Sequence, residues 1–184
     1  MIKDDEISSN EFSVLTLPPT FVNLLSVIFS LILYIGSFII WPEKPEPLEI
    51  VKNIFPYAAS FFLICAATIF LHEILHLLVS PGGFMTPGVR IGFQRENFMF
   101  YAYTPAKMNR LRALVLLLAP FFFLTLIPFF IEFVVGWRSG WMGVVAICNA
   151  ALSANDLLLA LWVFLKVPRQ AKEVHPELNR IRYR

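Results

Sequence analysis

The sequence predicts an all-α polytopic membrane protein with four transmembrane helices and a small β-hairpin between the second and third. Of the 184 residues, 58% are hydrophobic and only 15% are charged, and the mean hydropathy is +0.69. A soluble domain carries roughly 45–50% apolar and about 25% charged residues. The same composition excludes a disordered chain, a collagen and a disulfide scaffold. A net charge of +2 is too small to suggest nucleic acid, so no nucleic-acid partner is expected.

Each predicted helix is an apolar stretch close to the roughly 20 residues that a bilayer requires. The four ranges are 21–41, 54–79, 111–135 and 142–165, and the last contains one charged residue, Asp156. We expect a single membrane domain, 1–184, with an N-terminal segment at 1–20 and a basic tail at 166–184. The first span is preceded by an acidic rather than a basic segment, so we expect it to be retained and not cleaved as a signal peptide.

The lysines and arginines predict the orientation of the chain. If the N-terminus is cytoplasmic, all of the 15 Lys and Arg residues except Lys44, Lys52 and Arg138 fall in cytoplasmic segments. Positive residues concentrate on the cytoplasmic side of membrane proteins. We therefore predict an integral membrane protein, in contact with the lipid bilayer and with both termini in the cytoplasm.

The segment between the second and third spans changes to a strand pattern. Pro81-Gly82-Gly83 ends the preceding helix. Residues 89–94 then alternate with a period of two, and residues 98–103 are rich in aromatic side chains, as in strands. With 95–97 as the turn, we predict a β-hairpin on the cytoplasmic side; the alternative is an irregular aromatic loop.

The motif His72-Glu73-Ile74-Leu75-His76 carries the chemistry. On a helix, residues four apart lie on one face, so two imidazoles can bind one Zn²⁺ while Glu73 reaches a metal-bound water. The pattern alone is not specific, but ionisable residues inside a span are costly and mark function. The alternative is a helix end with solvated histidines.

Catalytic zinc usually takes three protein ligands and one water, so a third ligand is required. Depth in the membrane favours Asp156: at 1.5 Å per residue the histidine motif lies roughly 9 Å and Asp156 roughly 15 Å from the cytoplasmic helix ends. A capping or packing aspartate is the alternative reading. The other candidates are Glu132, Cys65, Cys148 and His175.

Two asparagines precede Asp156. Asn149 lies two turns earlier on the same helical face, with Ser153 between them. Its amide could hold a substrate carbonyl or a developing oxyanion, or it could equally join helices by hydrogen bonding. Asn155 points away from that face and is expected to serve packing. For Cys65 and Cys148, whose surroundings are apolar, we expect a packing role, and a disulfide has no support in the sequence.

A small multispan protein with a His-Glu-x-x-His helix end and a later span bearing Asn149 and Asp156 resembles the site-2 protease class of intramembrane zinc metalloproteases. It is more similar still to the small bacterial membrane family of zincin peptidases, a resemblance that implies a location in a bacterial cell membrane. The resemblance covers roughly 55–165 and implies Zn²⁺ on His72, His76 and Asp156, with Glu73 as general base. The prolines and the glycine of the late motif in that class are absent, and Leu157 follows the aspartate.

The function that follows is hydrolysis of peptide bonds in transmembrane proteins or peptides, near the cytoplasmic side of the bilayer. Glu73 and Asn149 are the predicted catalytic residues, and Zn²⁺ is the predicted cofactor. Two alternatives stay open: a non-catalytic zinc-binding membrane protein that acts as an accessory subunit, and a membrane scaffold without metal. The sequence does not predict the oligomeric state.

Overall fold

The computed structural model describes residues 53–94, 99–136, 140–177 and 180–184, and nearer the N-terminus 13–16, 18, 20, 21, 24, 25, 27–29, 31, 32 and 35. The strands are β1 (Ser13–Thr16), β2 (Arg90–Gln94), β3 (Met99–Tyr103), β4 (Val174–Glu177) and β5 (Arg180–Tyr183). The helices are α1 (Ile54–Val79), α2 (Arg110–Phe121), α3 (Ile127–Phe130), α4 (Gly140–Leu152) and α5 (Ala154–Lys166). Two π-helical turns, Phe122–Leu126 and Ile131–Val135, flank α3.

Two helices among the described residues are long and apolar enough to cross a membrane: Ile54–Val79, and Arg110–Phe130, which joins α2 to α3. A third crossing is possible if the bent pair α4 and α5 forms one span. The first predicted span, 21–41, lies largely outside the described residues, although those described between 20 and 35 are helical. The structure therefore supports two or three of the four predicted crossings.

The last predicted span, 142–165, is not one straight helix. It is divided at Ser153, where the axes of α4 and α5 differ by 51°. Ser, Asn and Asp side chains compete with the backbone for hydrogen bonds and weaken a helix, and this stretch holds Asn149, Ser153, Asn155 and Asp156. The break gives α5 its own N-terminal turn, which carries Asp156.

The predicted hairpin is confirmed. β2 and β3 are antiparallel, with Arg90 opposite Tyr103 and Phe93 opposite Phe100. Gly82, at φ 76°, adopts the left-handed conformation that follows the end of α1. The predicted turn, 95–97, lies outside the described residues.

The basic tail contains structure that the sequence analysis did not predict. β4 and β5 form a second hairpin, and β1 pairs with β5 to give a three-stranded sheet of order β1-β5-β4. The N–H of Val174 donates to the carbonyl of Met108 at 2.8 Å, which ties this sheet to the start of α2. The N-terminal strand and the C-terminal tail therefore lie together.

The helices turn apolar side chains outward and polar side chains inward. On α1, Phe55, Phe62 and Leu63 are exposed, whereas Thr68 and Glu73 are buried. Exposed apolar side chains suit a lipid surround, and polar groups inside a span face the protein interior. The buried apolar cluster lies instead between α2, α5 and the tail sheet: Met108, Ala113, Leu116, Leu117, Leu159, Ala160, Val163, Val167, Val174 and Ile181.

Candidate metal centre

Three side chains converge inside the helices. His72 and His76, one turn apart on α1, are both buried, and their Nε2 atoms lie 3.2 Å apart. Asp156, in the first turn of α5, places its Oδ2 atom 3.1 Å from Nε2 of His72 and 3.2 Å from Nε2 of His76. The three atoms form a nearly equilateral triangle.

Hydrogen bonds at the Nδ1 atoms of the two rings determine the tautomer and the orientation of each ring. Nδ1 of His72 lies 2.9 Å from Oδ1 of Asn149, and Nδ1 of His76 lies 3.0 Å from the carbonyl oxygen of Leu116. Both partners accept hydrogen bonds, so each neutral ring carries its proton on Nδ1. Each Nε2 atom therefore presents a lone pair to the carboxylate and to the other ring.

The residues present fit a zinc ion. Two imidazole lone pairs and a carboxylate oxygen at this spacing are brought together by a positive charge, which a metal cation or a proton can supply. Tetrahedral zinc with bonds of about 2.0–2.1 Å would hold its ligand atoms about 3.3–3.4 Å apart. The observed separations of 3.1 Å and 3.2 Å are close to that spacing.

The other ligand candidates lie elsewhere. Among the residues that the structure describes, the group that could hold a metal ion is His72, His76 and Asp156. Glu132 lies in the π-helical turn Ile131–Val135, which follows α3 at the opposite end of this span from Arg110. His175 lies on β4, with Nε2 4.0 Å from Oε2 of Glu173. Cys65 and Cys148 are free, half-buried thiols.

Asn149 packs behind His72, and it is not among the side chains that line the cleft described below. It is fully buried, and its Nδ2 atom lies 2.9 Å from the Pro120 carbonyl, 2.9 Å from Oγ1 of Thr125 and 3.2 Å from Oγ of Ser153. With Oδ1 bound to His72, both ends of the amide are occupied. A partner of this kind orients a ligand ring. These contacts favour the second of its two predicted roles, a buried residue that joins helices by hydrogen bonding.

A cleft of about 190 Å³ opens beside the three converging side chains. One wall is the C-terminal part of α1, including Glu73, which is only 8% exposed. Another wall is β3, whose Ala102 backbone donates a hydrogen bond to the Glu73 carboxylate. Gly92 of β2 lies under the ring of Tyr101, so a side chain there would displace this wall.

Asn155 also lines the cleft, so the expectation that it faces away is wrong. The expectation assumed a continuous straight helix, whereas the axes of α4 and α5 differ by 51° at Ser153. The sequence gives no local signal for this position apart from its adjacency to Asp156.

Apart from the two histidines, the charged side chains that line the cleft are acidic. Glu73 and Asp156 contribute two carboxyl groups, and no Lys or Arg occurs among the described residues that line it. Buried carboxylates are normally paired with a cation or coordinate a metal. The electrostatics of the cleft therefore also favour a bound cation.

A family model described as "Putative zincin peptidase" matches residues 65–172, which is more than half of the chain. The matched range includes His72, Glu73, His76, the β2–β3 hairpin and Asp156. Neither the curated proteins nor the solved structures give a significant match. A family of this kind suggests metallopeptidase activity and a zinc cofactor. The chain thus belongs to this family of zincin peptidases.

Proposed function

We propose that this protein is an intramembrane zinc metalloprotease that hydrolyses peptide bonds of membrane-protein substrates near the cytoplasmic side of the bilayer. One observation carries the proposal: His72, His76 and Asp156 converge beside a buried Glu73, in a cleft between apolar helices. Family membership supports the peptidase chemistry, and the apolar helices support the membrane location.

His72, His76 and Asp156 would hold the zinc ion. Zinc, when bound, polarises a peptide carbonyl and lowers the pKa of a water toward neutrality. Asn149 and the carbonyl of Leu116 accept hydrogen bonds from the two rings and keep their Nε2 atoms directed inward. The chain therefore orients each ligand ring through its Nδ1 atom, which faces away from the three converging atoms.

Glu73 is the general base. Its carboxylate lines the same cleft, held by the backbone of Ala102, and takes a proton from the attacking water. The protonated carboxyl then gives that proton to the leaving amine, which completes the hydrolysis. Burial excludes bulk water, so the proton is delivered to the amine and not to solvent.

β3 offers an edge to the substrate backbone. A transmembrane helix must unwind locally to expose a peptide bond, and its freed N–H and C=O groups then need partners. Adding the unwound segment to β3 as an extra strand would supply them.

The other strand close to the cleft is unsuitable for this pairing. On β4, the N–H of Val174 points away from β5 and is already bound to Met108. The backbone N–H groups of residues two apart along a strand point to the same edge, and the next such position on β4 is Pro176, which has no N–H. On β3 the N–H of Ala102 is likewise engaged, by Glu73, but the strand contains no proline. Of these two strands, β3 is therefore the better suited to pair with a substrate strand.

The arrangement of the termini supports the proposed orientation. Because β1 pairs with β5, the two ends of the chain lie on one side of the protein. The distribution of Lys and Arg then assigns that side to the cytoplasm. The substrate is a transmembrane protein or peptide that reaches the cleft from within the bilayer.

Zinc content and membrane proteomics test the proposal together. Purified wild type should bind about one zinc per chain, the number expected of a single catalytic site. His72→Ala, His76→Ala and Asp156→Ala should each lose most of that zinc. Glu132→Ala, a buried carboxylate outside the group, is the control and should keep it.

Membrane fractions of cells that express wild type or Glu73→Gln should then be compared. A protein that accumulates uncleaved only with Glu73→Gln is a substrate. Zinc binding in the absence of any such difference would favour the alternative, a non-catalytic zinc-binding subunit. Absence of zinc would contradict both.

A further inference from the structure

Asn155 combines burial with an unused hydrogen-bonding group. The residue is 7% exposed and lines the cleft beside Asp156. Its Oδ1 atom is buried and has no hydrogen-bond partner among the residues that the structure describes. Buried side-chain oxygens are nearly always bonded, and an exception calls for an explanation.

Asn149 provides the contrast within the same protein. Its amide makes four hydrogen bonds, and it does not line the cleft. Such an amide contributes to folding and to the position of His72. The Oδ1 atom of Asn155 has no such contact among the described residues, so this oxygen adds no hydrogen bond to the fold.

The chemistry of the Asn155 side chain matches that of a peptide group. A carboxamide offers one oxygen acceptor and two N–H donors, and a peptide unit offers one N–H and one carbonyl. A substrate unwound in an apolar cleft must find partners for these groups. β3 can satisfy one edge of the extended backbone, and Asn155 belongs to a different element of the cleft, the first turn of α5.

We propose that Asn155 binds the substrate backbone beside the scissile bond. Oδ1 accepts a hydrogen bond from a backbone N–H of the locally extended peptide, and Nδ2 donates to one of its carbonyl groups. The ligand class is extended peptide backbone, whatever its side chains. This assignment rests on the proposed protease function and adds a specific contact to it.

The test uses the full-length protein in detergent, with zinc bound, and Asn155→Leu. Leucine has nearly the same volume and removes both ends of the amide. The probe is a synthetic transmembrane peptide that spans a cleavage site found in the proteomic comparison. Loss of two neutral hydrogen bonds should lower kcat/KM about 10- to 100-fold, mainly through KM, with zinc per chain unchanged.

Thermal unfolding separates substrate binding from a structural role. Because Asn155→Leu removes a buried oxygen without a partner, its Tm should equal or exceed that of wild type. A structural asparagine would instead lower the Tm. Asn155→Ala removes the same groups without adding bulk, and should show the same loss of kcat/KM.

A binding measurement that needs no turnover completes the test. On the Glu73→Gln background, the peptide should bind to protein with Asn155 intact, and about 10- to 100-fold more weakly once Asn155→Leu is added. Wild-type kinetics, a lowered Tm or a loss of zinc in Asn155→Leu would each overturn the assignment while the protease function stands. No cleavage by wild type would overturn the protease function and this contact with it.

Discussion

Asn149→Leu tests whether the residue behind the centre sets zinc affinity. The substitution keeps the side-chain volume but removes the acceptor that lies 2.9 Å from Nδ1 of His72. The ring is then free to rotate or to move its proton to Nε2, the atom that faces the metal. Loss of an orienting partner typically weakens metal binding about 10- to 100-fold, which is about 1.4–2.7 kcal/mol.

The same substitution also affects the metal-free protein. The buried N–H of His72 would lose its acceptor, which costs about 1–3 kcal/mol of unfolding free energy. Zinc affinity should therefore be measured by competition with a chromophoric chelator, and Tm should be measured separately with the metal removed. The two measurements distinguish a weaker site from a weaker fold.

Thr125→Val is the matched control. Its hydroxyl bonds to Asn149 and to the carbonyl of Ala146 but does not touch a predicted ligand. It should lower the metal-free Tm and leave zinc affinity unchanged. If Asn149→Leu binds zinc as tightly as wild type, the positioning role is refuted.

Two further predictions concern the tail and the topology. Hydrogen bonds from Arg184 and Lys107 lower the pKa of Glu173 from its ordinary 4.5 to about 2. The stabilising effect of the Glu173 carboxylate should therefore be complete above about pH 4.5 and disappear as the pH falls through about 2. The Tm difference between wild type and Glu173→Gln should follow that course, and a difference that is absent already at neutral pH would contradict it. Single cysteines labelled from outside the cell should react at residues 42–53 and not in the tail at 166–184, and external labelling of the tail would overturn the orientation.

Local patterns in the sequence predict several features that the structure shows. The spacing of His72 and His76 places them on one helical face, and the period-two alternation at 89–94 predicts a strand. Depth in the membrane indicates Asp156 as a neighbour of the histidines, and the structure brings its carboxylate to 3.1 Å from His72. Each of these inferences depends only on spacing along one element or on position relative to its end.

The features that were missed depend on relations between elements. The place of Asn155 in the cleft accompanies the 51° bend between α4 and α5 at Ser153, which an unbroken helix does not predict. The tail sheet depends on pairing between β1 and β5, nearly the whole chain apart in sequence. β4 also contains Pro176, which argues against a strand when its neighbours are unknown.

Glu73→Gln gives the most direct test of the central claim. The substitution keeps the shape of the side chain and leaves His72, His76 and Asp156 untouched, but it removes the carboxylate that we propose as the general base. Zinc per chain and cleavage of a co-expressed transmembrane substrate should be measured on the same preparation. The account predicts full zinc content with cleavage reduced by at least about 10²- to 10⁴-fold, the usual worth of a general base. Full cleavage by Glu73→Gln, with zinc bound, would contradict it.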